Sequence, residues 1–368
     1  MRRAPAVPKY QAVYDALHEE IRSGRLPVGA RVPSEADLGT RFGASRITVG
    51  RAMRDLQQRG LVERRVGAGT FVRAAPAATA GACTFGVLVP DLAEIEIFEP
   101  IVHGLIACQD AASHAFLWGG GEMPAAARAD AAWARAQQYL ARRVDGVFFA
   151  PLEDLPPDDP ANIRIVTAFD AAGIPVVLLD RSVYPYPRRG PYDLVGIDNR
   201  RAGYAITEHL LGQGARRVAF LGAMHAASTI GARRAGFREA LAVLGADDTL
   251  ASQPVPSPDD GQAIAAYLDT HAPDAIACAN DRSAARLMHT LLALGRRIPQ
   301  DVRLAGIDDV EYAAWLPVPL TTLRQPARQI GGAAMAAMLD RRAHPDRPPR
   351  DIFVQCTLVV RASCGASR

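Results

Sequence analysis

From Cys83 onward the chain alternates short apolar runs with alanine-rich helical stretches, and this alternation constrains the fold more than any other feature. Apolar runs such as VVLL and GVFFA do not alternate with polar residues, as expected for parallel strands that helices cover on both faces. The pattern therefore predicts βαβ units and an α/β body long enough for two successive lobes. The predicted strands are Thr84–Val89, Gly146–Ala150, Pro175–Leu179, Leu194–Ile197, Arg217–Leu221, Ala275–Ala279 and Val302–Ile307, and the predicted helices include Ala125–Arg142, Arg200–Gln213, Gly231–Leu244, Gly261–His271 and Arg282–Leu294.

Charge separates the start of the chain from this body. Residues 1–73 hold 14 Lys+Arg against 7 Asp+Glu, whereas the 368-residue chain as a whole has a net charge of only +3. Residues 74–82 read AAPAATAGA, which has neither charge nor apolar periodicity and therefore predicts a linker. We expect a basic DNA-binding domain at 1–73, a linker at 74–82 and an acidic body at 83–368, with only the first segment meeting a polyanion.

The basic segment has the pattern of a winged helix-turn-helix. An apolar stripe at Val13, Leu17 and Ile21 predicts a first packed helix. Ser34 can cap a short second helix over 35–42, and Ser45 a third that reaches about Arg59. The third helix has an apolar stripe that consists of Val49, Ala52, Met53 and Leu56. The segment LVERRVGAGTFV then reads as two strands around a glycine-containing turn.

The other face of the third helix carries donors that suit DNA. Hydroxyls and guanidinium groups donate to phosphates or to base edges, and arginine is suited to bidentate reading of guanine. Glycines in the wing allow close approach of the backbone to the duplex. The predicted DNA contacts are Ser45, Arg46, Thr48, Arg51, Arg54, Gly67 and Gly69.

The segment Tyr10–Val72 resembles the GntR-type winged helix-turn-helix through G-x-L-P-x-G-x-R-x-PSE-x-x-L-x-x-x-FG-x-SR-x-TV, then L-x-x-x-G-L-V and G-x-GTFV. Two positions depart from the pattern of that family. Ala36 follows PSE and Gly50 follows TV, and arginine is common at both places. The departures bear on the operator sequence rather than on DNA binding itself. Gly50 within a helix costs about 1 kcal/mol relative to alanine, and it either serves close approach to DNA or, as we favour, is tolerated drift.

Polar side chains follow several of the predicted strands in the body, at the edge where open α/β sheets gather ligand contacts. The residues are Asp91, Asp180, Arg181, Asn280, Asp281, Asp308 and Asp309, with Arg233 shortly before the helical segment AGFREAL. Each alone could equally be an N-cap or turn residue. Together they predict one cleft for a polyhydroxylated neutral ligand, because carboxylates accept from hydroxyls and arginines donate to them.

The body resembles the LacI/GalR-type regulator core, a periplasmic-binding-protein-like fold, over nearly all of Cys83–Val360. The strings that carry the resemblance are PVVLLDR, GIDNRRAGYAITEHLLGQGARRVAFLG, RRAGFREAL, ANDRSAARLMHTLLALGRRIPQDVRLAGIDD and PLTTLRQPARQIG. It implies sugar contacts at Asp91, Phe98, Arg181, Arg233, Asn280, Asp308 and Gln325, with the Phe98 ring stacked on the sugar. The Pro- and Tyr-rich stretch Ser182–Asp193 departs from the family and is expected to reshape the cleft's rim. The linker also lacks a sequence like the hinge helix of LacI-type repressors.

Other classes of protein fit the sequence poorly. The five cysteines form no CxxC pair, so neither a disulfide framework nor a zinc site is expected. No run of about 18 apolar residues predicts a membrane span, and no apolar block near the first arginines predicts a secretory signal. The one lysine, Lys9, leaves a pyridoxal-phosphate aminotransferase body without its Schiff-base residue. Neither GxxxxGK[ST] nor GxSxG occurs.

The sequence thus predicts an α/β protein with an N-terminal winged helix-turn-helix and a two-lobed periplasmic-binding-protein-like domain with parallel sheets. The expected function is a cytoplasmic, dimeric transcription regulator, most simply a repressor. Its expected partners are double-stranded operator DNA and a monosaccharide or derivative, and it needs no catalytic residue, metal or cofactor. Two alternatives remain: a regulator whose body only dimerises, and a solute-binding protein.

Overall fold

The computed structural model describes residues 9–22, 25–27, 29–58, 61–65, 69–72, 82–89, 96–119, 127–153, 155, 159–222 and 228–366. The chain divides into two compact units, Met1–Ala82 and Cys83–Arg368. Asp91, Gly67 and all of the predicted linker except Ala82 lie outside the described residues. Among the described residues, no helix has the length and apolarity that crossing a membrane requires. The same residues contain no group of three His, Cys, Asp or Glu side chains that could hold a metal ion.

The first unit is a winged helix-turn-helix, as the sequence predicted. Its elements are α1 (Lys9–Arg22), α2 (Glu35–Phe42), α3 (Arg46–Gln58), β1 (Val62–Arg65) and β2 (Gly69–Val72). The predicted apolar stripes of α1 and α3 are buried in one core with Leu38 of α2. The strands form an antiparallel pair in which Val62 faces Val72, and an isolated bridge from Arg31 to Phe71 adds a third segment.

The second unit is built from nineteen helices and strands among the described residues. In chain order they are β3 (Thr84–Leu88), α4 (Phe98–Ala107), β4 (Ala115–Leu117), α5 (Arg128–Ala141), β5 (Gly146–Phe149), α6 (Ala161–Ala171), β6 (Val176–Leu179), β7 (Asp193–Gly196), α7 (Asn199–Gly212), β8 (Val218–Leu221), α8 (Ser228–Val243), α9 (Gly261–His271), β9 (Ala275–Cys278), α10 (Asp281–Ala293), β10 (Arg303–Asp308), β11 (Thr321–Arg324), α11 (Ala327–Ala343), β12 (Asp351–Phe353) and β13 (Thr357–Val359). All seven predicted strands and all five predicted helices are confirmed, with ends that shift by at most three residues.

Two sheets divide these elements into the predicted lobes. The first has the order β12-β7-β6-β5-β3-β4 and is parallel throughout. The second has the order β13-β11-β10-β9-β8 and is parallel except for β13. The chain therefore passes between the lobes three times: after β7, after β11 and after β12. Because the strands are parallel, their carboxyl ends collect the polar residues that follow them along one edge of each sheet.

Close packing of α7 against α8 positions the side chain of Arg233 near the carboxyl ends of the second sheet. A Cβ atom on Gly203 of α7 would lie 1.9 Å from the carbonyl oxygen of Arg233 on α8. A Cβ atom on Gly236 of α8 would lie 1.8 Å from the carbonyl oxygen of Arg200 on α7. Only glycine permits this backbone contact, and the contact brings the Arg233 side chain within reach of the start of α7.

The buried carboxylate of Asp193 on β7 binds the end of α11 and the segment that connects α11 to β12. Asp193, with 0% of its surface exposed, accepts hydrogen bonds from Arg341 Nε at 3.0 Å and Nη2 at 3.1 Å. The backbone N–H of Arg350 donates to the same carboxylate at 2.8 Å. Although burial acts to raise the pKa of Asp193, the Arg341 and Arg350 hydrogen bonds outweigh it and lower that pKa.

We expect Asp193→Ala to lower the free energy of unfolding of the body by about 3–5 kcal/mol, because it removes a fully buried carboxylate and leaves the largely buried Arg341 guanidinium without its charged partner. Urea denaturation followed by circular dichroism measures the loss. Asp269→Ala is the control, since Asp269 is 71% exposed in its pair with Arg296 and should contribute little. Equal stability of the two variants would contradict the structural role of Asp193.

Candidate functional site

The turn between α2 and α3 is specified locally. The Ser34 side chain caps α2 by accepting from the Asp37 N–H, and the Asp37 side chain accepts from the Ser34 N–H in return. Gly43 ends α2 in the left-handed region at φ 55°. At the start of α3 the Ser45 hydroxyl accepts from the Thr48 N–H at 3.3 Å and lies 2.8 Å from the Thr48 hydroxyl. These caps fix the direction in which α3 leaves the turn.

The predicted DNA contacts on α3 lie on its solvent-facing side. The Arg46 side chain is 89% exposed, and its Nε lies 3.5 Å from a Glu35 carboxylate oxygen. Arg51 and Arg54 are also exposed. The Arg51 guanidinium stacks 4.2 Å from the Tyr10 ring centroid, which holds this cation beside α1. The structure thus supplies a cationic helix face, and its contact with DNA stays a prediction.

The wing brings in an arginine that the sequence analysis did not include. Gly69 has φ 116°, and a Cβ atom there would lie 2.8 Å from Arg31 Nε. Arg31 therefore packs its guanidinium against the wing backbone while remaining exposed. The signal was present as the arginine of the GARVPSE string. Gly67 lies outside the described residues, so its predicted role is unchanged.

In the body, Arg181 and Asp180 form the first half of a buried polar cluster at the end of β6. Arg181 donates from Nε to Asp180 Oδ2 at 3.1 Å, and its Nη1 also pairs with Glu153. The Arg181 guanidinium lies 5.6 Å from the Phe98 ring centroid. Asp180 and Arg181 are only 6% and 4% exposed, so both charges depend on these partners rather than on water.

Arg233 organises the second half of the cluster in the other lobe. Its Nε donates to Asn199 Oδ1 at 2.8 Å, and its Nη1 donates to the Ala279 carbonyl at 2.6 Å. Its Nη2 lies 3.6 Å from Asp308 Oδ1. Gln325 Nε2 donates to the same Asp308 oxygen at 2.7 Å. Arg181 of the first lobe thus faces an Arg233–Asp308–Gln325 set from the second.

Two buried acceptors of this cluster have no hydrogen-bond partner among the described residues: Asp180 Oδ1 and Gln325 Oε1. A buried acceptor that is left without a donor costs about 1–3 kcal/mol. Asp180 and Asp308 also have positive φ, 68° and 130°, at the carboxyl ends of β6 in the first sheet and β10 in the second. Strained backbone and unsatisfied acceptors that coincide at strand ends are typical of a ligand site.

Burial shifts the ionisation of the cluster. It raises the pKa of Asp308 to about 7 even though Arg233 acts to lower it. It also raises the pKa of Asp180, and that of Asp281 to about 6. Burial and the neighbouring Arg233 lower the pKa of Arg181 to about 9, which keeps the guanidinium charged at neutral pH. The site therefore holds fixed cations beside carboxylates that titrate near neutrality.

The remaining predicted sugar contacts are Phe98, Asn280 and Asp91, and the structure places them differently from the polar cluster. Phe98 is 1% exposed and packs in the core beneath Arg181, so its stacking on a ligand stays a prediction. Asn280 caps α10, because its Oδ1 accepts from the Ser283 N–H at 2.8 Å and from the Ser283 hydroxyl. Asp91 lies outside the described residues. Asp180 was predicted as a polar residue of the cleft, although not as one of the sugar contacts, whereas Glu153 and Asn199 were not predicted at all.

A cavity of about 630 Å³ borders the cluster on the side of Asp308 and Gln325. Ile97 and Glu96 from the first lobe and Tyr312 from the second complete part of its wall. Its volume lies within the usual range for small-molecule sites.

Two family models match this chain. Residues 9–72 match the bacterial regulatory proteins of the gntR family, and residues 207–364 match a periplasmic binding protein-like domain. The HTH-type transcriptional regulator CelR of Thermobifida fusca is 32% identical over 230 residues, which are 61% of this chain and 65% of CelR. The alignments span about 57–65% of the length of the curated relatives.

Solved structures share the fold of the body. A protein assigned to the LacI family of transcriptional regulators, from Sanguibacter keddieii, is 30% identical, with a TM-score of 0.57, over 78% of this chain and 100% of that one. A LacI-family regulator from Enterococcus faecium with bound ribose is 24% identical, with a TM-score of 0.62, over 76% of this chain and 98% of that one. The second likeness establishes the fold alone.

We expect Gly50→Ala to stabilise the head by about 1 kcal/mol, because a Cβ atom at Gly50 has nothing within 4 Å and alanine favours the helix. Thermal denaturation of the full chain measures the change in the head's transition. Stabilisation with unchanged DNA affinity supports tolerated drift. Stabilisation with loss of DNA affinity shows instead that the glycine serves close approach to the duplex.

We expect the contribution of Asp308 to the stability of the body without ligand to fall as the pH rises from about 4 to 7 and to change little above pH 7. The pKa of Asp308 is about 7 in the folded protein, above its ordinary value of 3.8, so its contribution is complete at low pH and is lost through pH 7. Melting temperatures of the wild type and Asp308→Asn across this range measure the contribution. The melting temperature of Asp308→Asn should rise relative to that of the wild type as the pH increases. A difference that does not change with pH would contradict the prediction.

Proposed function

Since this chain belongs to the LacI family in its C-terminal body and carries a GntR-type helix-turn-helix in its head, we propose that it is a DNA-binding transcription regulator controlled by a small carbohydrate. The curated relatives are transcriptional regulators of bacteria. We propose a repressor that acts as a homodimer in the cytoplasm, where its operator lies. The segments 1–73, 74–82 and 83–368 would serve as DNA-binding domain, linker and effector-binding body.

The head supports DNA binding through the geometry of α3. Its apolar side is buried in the core, and its exposed side carries Arg46, Arg51 and Arg54. An α-helix fits the major groove of B-DNA, about 12 Å wide, and arginines there bind phosphates or guanine edges. Arg31 beside Gly69 would extend the cationic surface along the wing.

The observation that carries the effector class is the pair of unsatisfied acceptors, Asp180 Oδ1 and Gln325 Oε1, beside buried arginines of both lobes. A sugar hydroxyl can donate to such an acceptor and at the same time accept from Arg181 or Arg233. A simple anion would leave both acceptors unsatisfied, and an apolar ligand would satisfy no member of the cluster. A neutral polyhydroxylated ligand therefore fits best.

Ligand binding in this arrangement would couple the two lobes. Arg181 belongs to the first lobe and Asp308 to the second, so a ligand that bonds to both favours one relative position of the lobes. In a dimer with two heads, that position would set the spacing of the heads on a pseudo-palindromic operator. A coupling of about 1–3 kcal/mol suffices for a change of 5- to 150-fold in operator affinity.

The experiment is a fluorescence-anisotropy titration of the full chain on an operator selected from random duplexes, repeated with a panel of monosaccharides and sugar acids. We expect one sugar to weaken operator binding at least fivefold. Asp308→Ala should bind the operator normally and ignore that sugar, because its role is confined to the body. Arg46→Ala should weaken operator binding and reduce the salt dependence by about 0.9 in the log–log slope if Arg46 binds one phosphate.

The matched control is Arg297→Ala, an exposed arginine of the body, which should bind DNA as the wild type does. Sequence-specific binding that no sugar changes would leave the body as a dimerisation platform only. Failure to select any duplex would overturn the proposed regulator.

A further inference from the structure

A second cavity, of about 400 Å³, adjoins the polar cluster on the side away from Asp308. Asp180, Arg181 and Asn199 of the cluster line it, together with the first turns of α7 and α8. Its outer wall is the segment Ser182–Tyr192, which we call the tyrosine loop and which lies within the stretch Ser182–Asp193 that departs from the family pattern. Asp180, whose Oδ1 has no hydrogen-bond donor among the described residues, therefore lines additional space beyond the proposed sugar site.

Packing and hydrogen bonds fix the conformation of the tyrosine loop. A Cβ atom on Gly190 would lie 2.4 Å from the Tyr184 ring and 3.3 Å from the Tyr192 ring, so both rings pack around this glycine. Tyr192 is 6% exposed, and its hydroxyl donates to Asp170. The Arg188 guanidinium lies 4.3 Å from the Tyr184 ring centroid and covers that ring. The loop is thus held both by its own side chains and by contacts with α6 and the core of the first lobe.

Two aromatic rings at this cavity are left uncovered. Tyr186 of the tyrosine loop is 92% exposed, and Phe353 on β12 is 52% exposed. Exposed aromatic faces beside a polar site offer stacking surfaces for a flat or ring-shaped group. Ser182, Ser228 and Thr229 supply hydroxyls to the same lining.

The charges around the cavity compensate one another. Arg189 pairs with Asp351 at 2.8 Å, and Arg200 pairs with Glu239 at 2.7 Å. Arg181 pairs with Asp180 at 2.8 Å. Arg188 and Asp198, which also line the cavity, carry opposite charges. The lining therefore has no large excess of either sign, which favours an uncharged occupant.

We propose that this cavity is a second subsite, which binds an uncharged ring attached to the sugar held by the Arg181–Asp308 cluster. The effector is then a glycoside with two rings rather than a monosaccharide, with Tyr186 and Phe353 stacking on the second ring. This inference rests on the proposed function, because the first ring is the carbohydrate assigned there. It also gives the tyrosine loop a role as the specificity-determining element of the body.

The test is isothermal titration of the full chain with matched pairs of probes, the methyl and 4-nitrophenyl glycosides of the same sugars. For the sugar that binds, we expect the 4-nitrophenyl glycoside to bind at least tenfold more tightly than the methyl glycoside. Tyr186→Ala and Phe353→Ala should each reduce this ratio to below threefold while leaving the Kd of the methyl glycoside unchanged. Both side chains are exposed, so neither change should disturb folding, and the melting temperature checks this.

Trp315→Ala is the matched control, because Trp315 is 81% exposed and does not line the cavity, and it should leave the ratio unchanged. Equal Kd values within every pair would overturn the subsite and leave the carbohydrate effector standing. Tighter binding of a sugar 6-phosphate than of the 4-nitrophenyl glycoside would also overturn it, in favour of an anion beside Arg188. Absence of binding by both members of every pair would overturn the carbohydrate effector itself.

Discussion

The pairing of a buried arginine with carboxylates within each of the two lobes is the interaction on which the body depends. A guanidinium that is 4% exposed, as in Arg181 and Arg233, is stable only where carboxylates and carbonyls replace its water. Glu153 and Asp180 do this for Arg181, and Asn199, the Ala279 carbonyl and Asp308 do it for Arg233. The sheets bring these groups together because parallel strands present their carboxyl ends at one edge.

The same cluster contains two buried acceptors without a donor among the described residues. Packing of α7 against α8 through glycine fixes Arg233, so the cluster cannot rearrange freely to satisfy every acceptor. Burial of the cluster leaves oxygens of Asp180 and Gln325 without a donor and raises the pKa of Asp308. Such a polar site would give specificity, because a ligand with hydroxyls in matching positions would offset the cost of burial.

The fold of the head is specified largely by local signals. Its core is small, so local signals must do much of the work: a capping box at Ser34, a left-handed glycine at Gly43 and a serine at the start of α3. Each of these signals acts between residues that are three or four positions apart, which is why it can be recognised in the sequence. The cationic face of α3 follows directly, since the apolar stripe that packs inward leaves the arginines outside.

The sequence by itself determined the winged helix-turn-helix, the alternation of strands and helices and the strand ends that carry Arg181 and Asp308, because short-range periodicity and caps encode them. It did not reveal β4, β12 and β13, which are three residues long, β11, which is four residues long, nor α4, α6 and α11. Tertiary structure alone decided the partners: that Glu153 meets Arg181, that Asn199 holds Arg233, and that the tyrosine loop encloses a cavity. These contacts join residues that are 28 or more positions apart or lie on different elements, and only the packing of helices and sheets brings such residues together.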